Sequence, residues 1–390
     1  MTITTPPAVS MVEDSTALDV RSALRRLLDS RFTPQELLQF VADDDDVDRE
    51  LWTTIARDLG LTALLIPEDL GGAGASARES AAVLVELGRS VAPVPYLSSA
   101  VIATTALVQC ARLGSPSAAG VLPDVADGAI AVLAIPAGRS SHSAANSTVT
   151  ATSSADGSVV VSGNIAQVLG AAGATSILVP AEHHGAASLV LVTDDAPRVA
   201  VSRRTGIDRT RATADLQFDA VGGVIVADGE GARVAVQVAL DTGAALLASE
   251  QVGICEWSLD AATQYLTVRH QFGRPIGSYQ ALRHRTAQLW IDINHARAAA
   301  IYAASTLADG SADQAVAGSL AQAYCSTTAL RVVEETLQMH GGIGFTWDHP
   351  LHLYLKRAFA DTVLLGDADT HKRALAALID IPQPAGWSAA

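Results

Sequence analysis

A chain of 390 residues, 49% of them hydrophobic, can bury a large core, and its length suggests two or three domains. The formal charge of −15 argues against a nucleic-acid partner, because neutralising a phosphate backbone needs a basic face. Aromatics make up only 4%, and the preponderance of Ala, Val and Leu suits long packed helices better than an all-β protein.

Met1–Asp14 holds Thr and Pro but no basic stretch followed by an apolar core, so it does not read as a signal peptide. From about Ser15 to Val108 the pattern is helical. Leu24, Leu27 and Leu28 share one face, and Leu51 to Leu61 is a second periodic stretch. The run Asp43–Asp46 lacks the spacing and terminal Glu of an EF-hand and reads as a solvated, acidic helix start. Glu68–Gly74 is a loop, more a helix-to-helix turn than a phosphate cradle, since it completes no GxGxxG. A helix over Ala77–Arg89 follows, stopped by Pro93 and Pro95. No uncharged apolar run approaches the roughly 20 residues a bilayer requires; Val91–Leu107 comes nearest and contains both prolines.

The character changes near Gly120. Val149–Thr152, an Asp156-Gly157 turn and Val159–Val161 predict a hairpin, and Ile177–Pro180, Leu189–Val192 and Val199–Ser202 predict further strands. Helical patterning returns at Ala232. Leu240, Leu247, Ile254, Ala261 and Val268 form an apolar row on a long helix ending before Phe272-Gly273. Further helices read across Leu282–Leu307, Val316–His340 and about Thr370–Ile379. The expected fold class is therefore α+β: an N-terminal helical domain over 1–122, a central β domain over 123–230 and a C-terminal helical bundle over 231–390.

Three motifs recur in an informative order. The segment from Arg269 to Gln280 contains Gln271-Phe272-Gly273, then Pro275. Gln338-Met339-His340-Gly341-Gly342 lies closer to the C-terminus, and Pro67–Gly74 is followed by Glu86-Leu87-Gly88-Arg89. Together with the α-β-α order, these motifs resemble the acyl-CoA dehydrogenase family over nearly the whole chain, with the four-helix C-terminal bundle of that family. The resemblance implies α,β-desaturation of an acyl-CoA thioester with FAD as hydride acceptor. It also implies a homo- or hetero-oligomer, dimer or tetramer, because in the family these groups bind the FAD of a neighbouring subunit. Arg269 would pair with the pyrophosphate through parallel hydrogen bonds, and Gln280 and Gln338 would offer amides to adenosine and phosphate oxygens. Phe272 belongs to the same signature, and Gly341 and Gly342 would let backbone approach the cofactor. Outside that resemblance, Arg269 could be a solvated residue and the twin glycines a helix cap.

The chain departs from the family where the chemistry happens. Members usually take the proton with a Glu that precedes a Gly; counting on from Gly341-Gly342, that slot holds Leu365, which accepts no proton. Some relatives place the base on the long helix before the QFG signature, where this chain has Gly243. Glu250 lies on the same side of that helix, roughly 10 Å further along. Asp367 is the other carboxylate nearby, and nitroalkane oxidase, a relative, uses an Asp. Structural roles compete for both: an interhelical partner for Glu250, a helix N-cap for Asp367. Two stretches that hold the flavin ring in relatives have also lost their usual residues, Ala134–Ser141 and Ile165–Val168.

This pattern is similar to one subunit type of two-gene actinobacterial acyl-CoA dehydrogenases, including those acting on steroid side-chain CoA esters. There one subunit supplies the base while the other completes the FAD site. The alternatives are a non-catalytic structural paralogue on the same fold, or a flavoenzyme of different chemistry such as nitroalkane oxidation. No metal is expected: Cys110, Cys255 and Cys325 are far apart, and neither His183-His184 nor His349 and His352 has a third ligand at productive spacing. Reduced thiols and the absence of a leader or span point to the cytoplasm.

Overall fold

The computed structural model describes residues 9–11, 15–143, 148–154, 158–193 and 198–380. The Asp156-Gly157 turn and most of Met1–Asp14 lie outside these residues. The first layer is helical: α1 (Ser15–Arg31), α2 (Pro34–Asp43), α3 (Arg49–Thr53), α4 (Ala77–Ser90), α5 (Thr104–Arg112) and α6 (Pro116–Ala126). A π-helical segment, Tyr96–Ala103, runs directly into α5. Two starts follow from S/T-x-x-E capping boxes, Thr33 with Glu36 for α2 and Ser76 with Glu79 for α4. The helix α6 carries this layer past residue 122 to Ala126.

The acidic run Asp43–Asp46 does not open a helix, contrary to the sequence pattern. It follows α2, with Asp44 in the left-handed conformation at φ 63°. Asp46 lies 2.5 Å from the guanidinium of Arg203, and Asp44 pairs with Arg203 and Arg209. The run thereby docks the helical layer on the sheet instead of merely facing water.

The sheet contains β1 (Ala131–Leu133), β2 (Val149–Ser153), β3 (Val159–Leu169), β4 (Ser176–His183), β5 (Ala186–Thr193), β6 (Val199–Arg204) and β7 (Thr213–Asp228). Pairing runs β2–β3–β7–β5–β4 and back to β2, so these five strands close on themselves. The expected hairpin is present in the register Ala151 to Val161. The length of β3 was not legible, because a bulge between Ile165 and Val168 breaks the alternation.

Then come α7 (Gly229–Val268), a short hairpin of β8 (His270–Gln271) and β9 (Arg274–Pro275), α8 (Gln280–Ala308), α9 (Gln314–His340), α10 (Leu351–Asp361) and α11 (Ala368–Leu378). In the apolar row of α7, Leu240, Leu247 and Ile254 are buried, but Val268 is 71% exposed. A strict seven-residue row drifts about 20° per heptad on a straight helix, so it leaves the core before the helix ends. By length and composition α7 could cross a membrane, although Asp241 and Glu250 interrupt its apolar run; here 61% of its most apolar window is buried within the protein.

Low aromatic content has a structural counterpart in this bundle. Ala245 and Ala248 of α7 pack with Ala296, Ala300 and Ala303 of α8 and Ala317 and Ala321 of α9. Short side chains let the helix axes approach, and interior packing is recovered through backbone contact. On the opposite face α4 comes closer still. A Cβ at Gly253 would lie 2.8 Å from the backbone nitrogen of Arg89 and nearer yet to the Val85 carbonyl. Gly253→Ala should therefore lower unfolding free energy by about 1–3 kcal/mol through overpacking, measured by denaturant unfolding. A neutral result would mean that α4 and α7 are not in backbone contact.

Candidate functional site

The nucleotide motifs gather at one end of the bundle, because α7 and α9 finish there and α8 begins there. Arg269 follows α7 directly, and its carbonyl accepts from Ile276 N at 2.8 Å, which closes the β8–β9 hairpin. Gln280 is the first residue of α8. The Tyr265 ring stacks on His340 with centroids 4.8 Å apart, tying the end of α7 to the end of α9. Gln338 lies two residues before His340 on α9, and Gly341 and Gly342 follow that histidine. Gly341 sits at φ 62° and ψ −141°, backbone that strongly favours glycine, and a Cβ at either glycine would meet nothing within 4 Å.

Arg269, Gln280, Gln338 and Gly342 are all exposed, and Phe272 is 91% exposed at φ 50°. Trp347 (72%) and Phe345 (69%) join it as large exposed apolar side chains near the glycine turn. Polar groups suited to a dinucleotide therefore share this end with an apolar surface of the kind that marks association sites.

The second region lies between sheet and bundle. Leu365 and Gly243, the two positions where the resemblance would put a base, do face each other. A Cβ on Gly243 would lie 3.1 Å from Leu365 Cδ1 and 2.8 Å from Ile102 Cγ1, so both slots are filled by hydrocarbon. What remains is a cavity of about 10 Å³ lined by Ser98, Ile102, Leu133, Leu364 and Leu365 among others, room for about one water.

The turn that carries Leu365 is held from three sides. Leu365 N donates to Ala137 O (2.9 Å), His371 Nε2 donates to Leu365 O (3.0 Å), and Gln322 Nε2 donates to Leu364 O (3.3 Å). These bonds fix Leu365 at φ 57°, a left-handed conformation that a non-glycine residue adopts at some cost. Burial holds the His371 imidazole below its usual range, consistent with a neutral ring donating this bond. Ile102 and Gln322 were not picked out from sequence, because each gains its role only through long-range packing; His371 was visible only as part of the run Leu364-Leu365-Gly366-Asp367 to His371, without its bond to Leu365 O.

The two stretches that the resemblance assigns to the flavin ring, Ala134–Ser141 and Ile165–Val168, do come together. Pro136 pairs with Val168, and Ala137 N donates to Gln167 O at 2.9 Å. Next to them, a cleft of about 380 Å³ opens between the sheet and the first turns of α7, lined by Arg139, Ser141, Glu182 and Gln237 among others. Asp241 accepts from Ser141 Oγ nearby, and burial pushes its carboxyl up. The Arg139 Nε is buried without a hydrogen-bond partner, and burial lowers that guanidinium's pKa.

Neither remaining carboxylate faces the filled slot as a free base. Asp367 accepts from Thr370 N at 2.8 Å and caps α11, which holds its pKa below the usual range. Glu250 is buried and accepts from Arg357 Nη1 at 2.6 Å and from Arg211.

Residues 14–129 match the family model described as acyl-CoA dehydrogenase, N-terminal domain, and residues 229–379 match acyl-CoA dehydrogenase, C-terminal domain. The chain belongs to the acyl-CoA dehydrogenase family of oxidoreductases. Among individual proteins it is similar to acyl-CoA dehydrogenase IpdE2 of Mycobacterium tuberculosis, 33% identical over 346 residues, which cover 89% of this chain and 92% of that one. Its fold matches a variant of the Tcur3481–Tcur3483 steroid ACAD at TM-score 0.80 and 30% identity, covering 93% of this chain and 97% of that one. It also matches the ChsE4–ChsE5 complex from Mycobacterium tuberculosis at TM-score 0.83 and 27% identity, over 96% of this chain and 100% of that one.

Two substitutions test the structural roles of the carboxylates. Asp367→Ala should cost about 1 kcal/mol, the usual loss of an N-cap, while Glu250→Ala should cost about 3–5 kcal/mol, because it removes the buried carboxylate that joins Arg357 to Arg211. Both are read by thermal or denaturant unfolding; equal, small effects would contradict the buried pairing.

Proposed function

We propose that this chain is the base-lacking subunit of a hetero-oligomeric acyl-CoA dehydrogenase, and that it completes an FAD site whose reactive end lies in a partner subunit. The observation that carries this reading is an asymmetry. Leu365, Gly243 and Ile102 close the desaturation slot with hydrocarbon, whereas Arg269, Gln280, Gln338 and Gly342 are exposed at the bundle end. FAD supplies the hydride acceptor of the family reaction.

The adenosine half of FAD fits the groups present. A guanidinium, two carboxamides and a glycine turn with open space above it supply bidentate charge, neutral donors and close backbone approach. The ring half fits this chain poorly. Its two lining stretches lack an aromatic, and the Leu365–Ala137 hydrogen bond ties one of them to the filled base slot. In the proposed assembly Arg269 holds pyrophosphate, Gln280 and Gln338 orient the adenosine side, and Phe272 covers the site from water. Proton removal from the acyl-CoA falls to a carboxylate of the partner.

The substrate class, an acyl-CoA, comes from family membership, and the likeness to a steroid ACAD favours a steroid-derived one. Three free, buried cysteines are in keeping with a reducing, cytoplasmic site of action. A self-sufficient desaturase would need a base within reach of substrate, and a nitroalkane oxidase would need Asp367 free of its cap.

Expressed alone, the chain should be colourless or carry far less than one flavin per chain. Co-expression with a family member that retains the glutamate should restore flavin and dehydrogenase activity. Within that complex Arg269→Ala should lower flavin retention by roughly 10-fold or more, the effect of losing a charged hydrogen-bonding group. Full flavin occupancy and turnover by the isolated chain would end the reading.

A further inference from the structure

Where segment 205–212, α7 and α10 meet, three carboxylates face two guanidiniums, and every member but the part-buried Arg211 is buried. Arg357 donates to Glu250 Oε1 (2.6 Å) and lies 2.7 Å from Asp208 Oδ2. Arg211 donates to Asp361 Oδ1 at 2.6 Å and to Glu250. Arg357 also donates to the carbonyl and hydroxyl of Thr210, at 2.8 and 2.7 Å. Glu250 enters from α7, Asp208 and Arg211 from the segment, Arg357 and Asp361 from α10. With every group ionised, these five hold one more negative than positive charge; Lys356 of α10 acts on Asp208 from outside them.

Asp361 is the member least able to bear that excess. It is fully buried at 0% exposure, and its Oδ2 has no hydrogen-bond partner. A buried carboxylate oxygen without a donor is costly, and an unbalanced charge there adds to the cost. A proton on Asp361 cancels the excess charge and leaves an unpartnered neutral group in place of an unpartnered ionic oxygen, which costs far less to bury.

We propose that Asp361 is held as the neutral acid up to neutral pH, and that this proton keeps segment 205–212 docked between α7 and α10. Electrostatics act in the same direction: burial pushes Asp361 from the ordinary 3.8 up to about 7, against the pull of Arg211 and Arg357 and with the push of Glu250 and Asp208. The sign follows by linkage. Below the ordinary carboxyl value both folded and unfolded chains hold the proton. Between that value and about 7 only the folded chain does, so this contribution to stability is lost as pH rises through about 7 and then stays lost.

The test uses the full chain and Asp361→Asn, which keeps the shape and cannot ionise. Between about pH 5 and 6.5 the folding constant of the native chain, relative to D361N, should fall about tenfold per pH unit and level off above about pH 7.5. Infrared spectroscopy of the native chain at pH 6 should show a buried carboxylic-acid carbonyl band that is absent from D361N and vanishes by pH 9. Asp208→Asn, which takes away one like charge and leaves the burial of Asp361 unchanged, should move the loss of the band to lower pH. A pH-independent ratio, no Asp361 band at pH 6, or a band whose pH midpoint is the same in D208N would each overturn the proposal, and the infrared arm needs no reversible unfolding.

Discussion

The close packing of α7 against its neighbours sets every other distance in the chain. This 40-residue helix meets α4 through glycine on one face and α8 and α9 through alanine on another. Such contacts leave little slack, because backbone in contact with backbone cannot be re-spaced by a rotamer change. One rigid rod therefore carries Gly243 at the filled slot, Glu250 at the buried charge cluster and, at its end, the residue preceding Arg269. The sheet is clamped to the rod through Arg211, and α10 through Arg357 and the Tyr354–Trp257 stack at 3.7 Å.

Much of this could be read in the sequence, and the failures have physical causes. Helices with capping boxes or proline stops, such as α4, announced themselves within a few residues. The helix α10 did not, since its three turns are short and its buried Leu351, Leu353, Tyr354 and Ala358 follow a histidine-proline pair. The acidic run after α2 misled because charge alone does not reveal that Arg203 and Arg209, far along the chain, fold back onto it. Of the candidate site, the motif residues were visible because their spacing is local. The packing of Ile102 and Leu365 around Gly243 was not, since it joins three distant segments.

The two regions ask opposite things of the fold. At the bundle end, chemistry is kept in reserve on the surface: exposed Phe272, Phe345 and Trp347 lie near exposed amides and a guanidinium. An apolar surface of this kind favours association, and covering it would also order long side chains such as Arg269 and Gln338. At the slot between sheet and bundle nothing is held in reserve. Three hydrogen bonds fix a leucine in a left-handed turn, and hydrocarbon fills the space.

That second choice follows from the cost of the alternative. A carboxylate at position 365 would face Ile102 and Gly243 inside a cavity of about 10 Å³, with no donor among the lining side chains that matches a base's charge. An acyl-CoA dehydrogenase tolerates such a residue because the charge is used in the reaction. A subunit relieved of proton transfer gains stability by burying leucine there instead, about 1.5–3 kcal/mol for the side chain alone. The left-handed turn and a leucine at its head are then compatible. The turn still ties α11 and Ala137 together, and that structural task remains whichever subunit performs the chemistry.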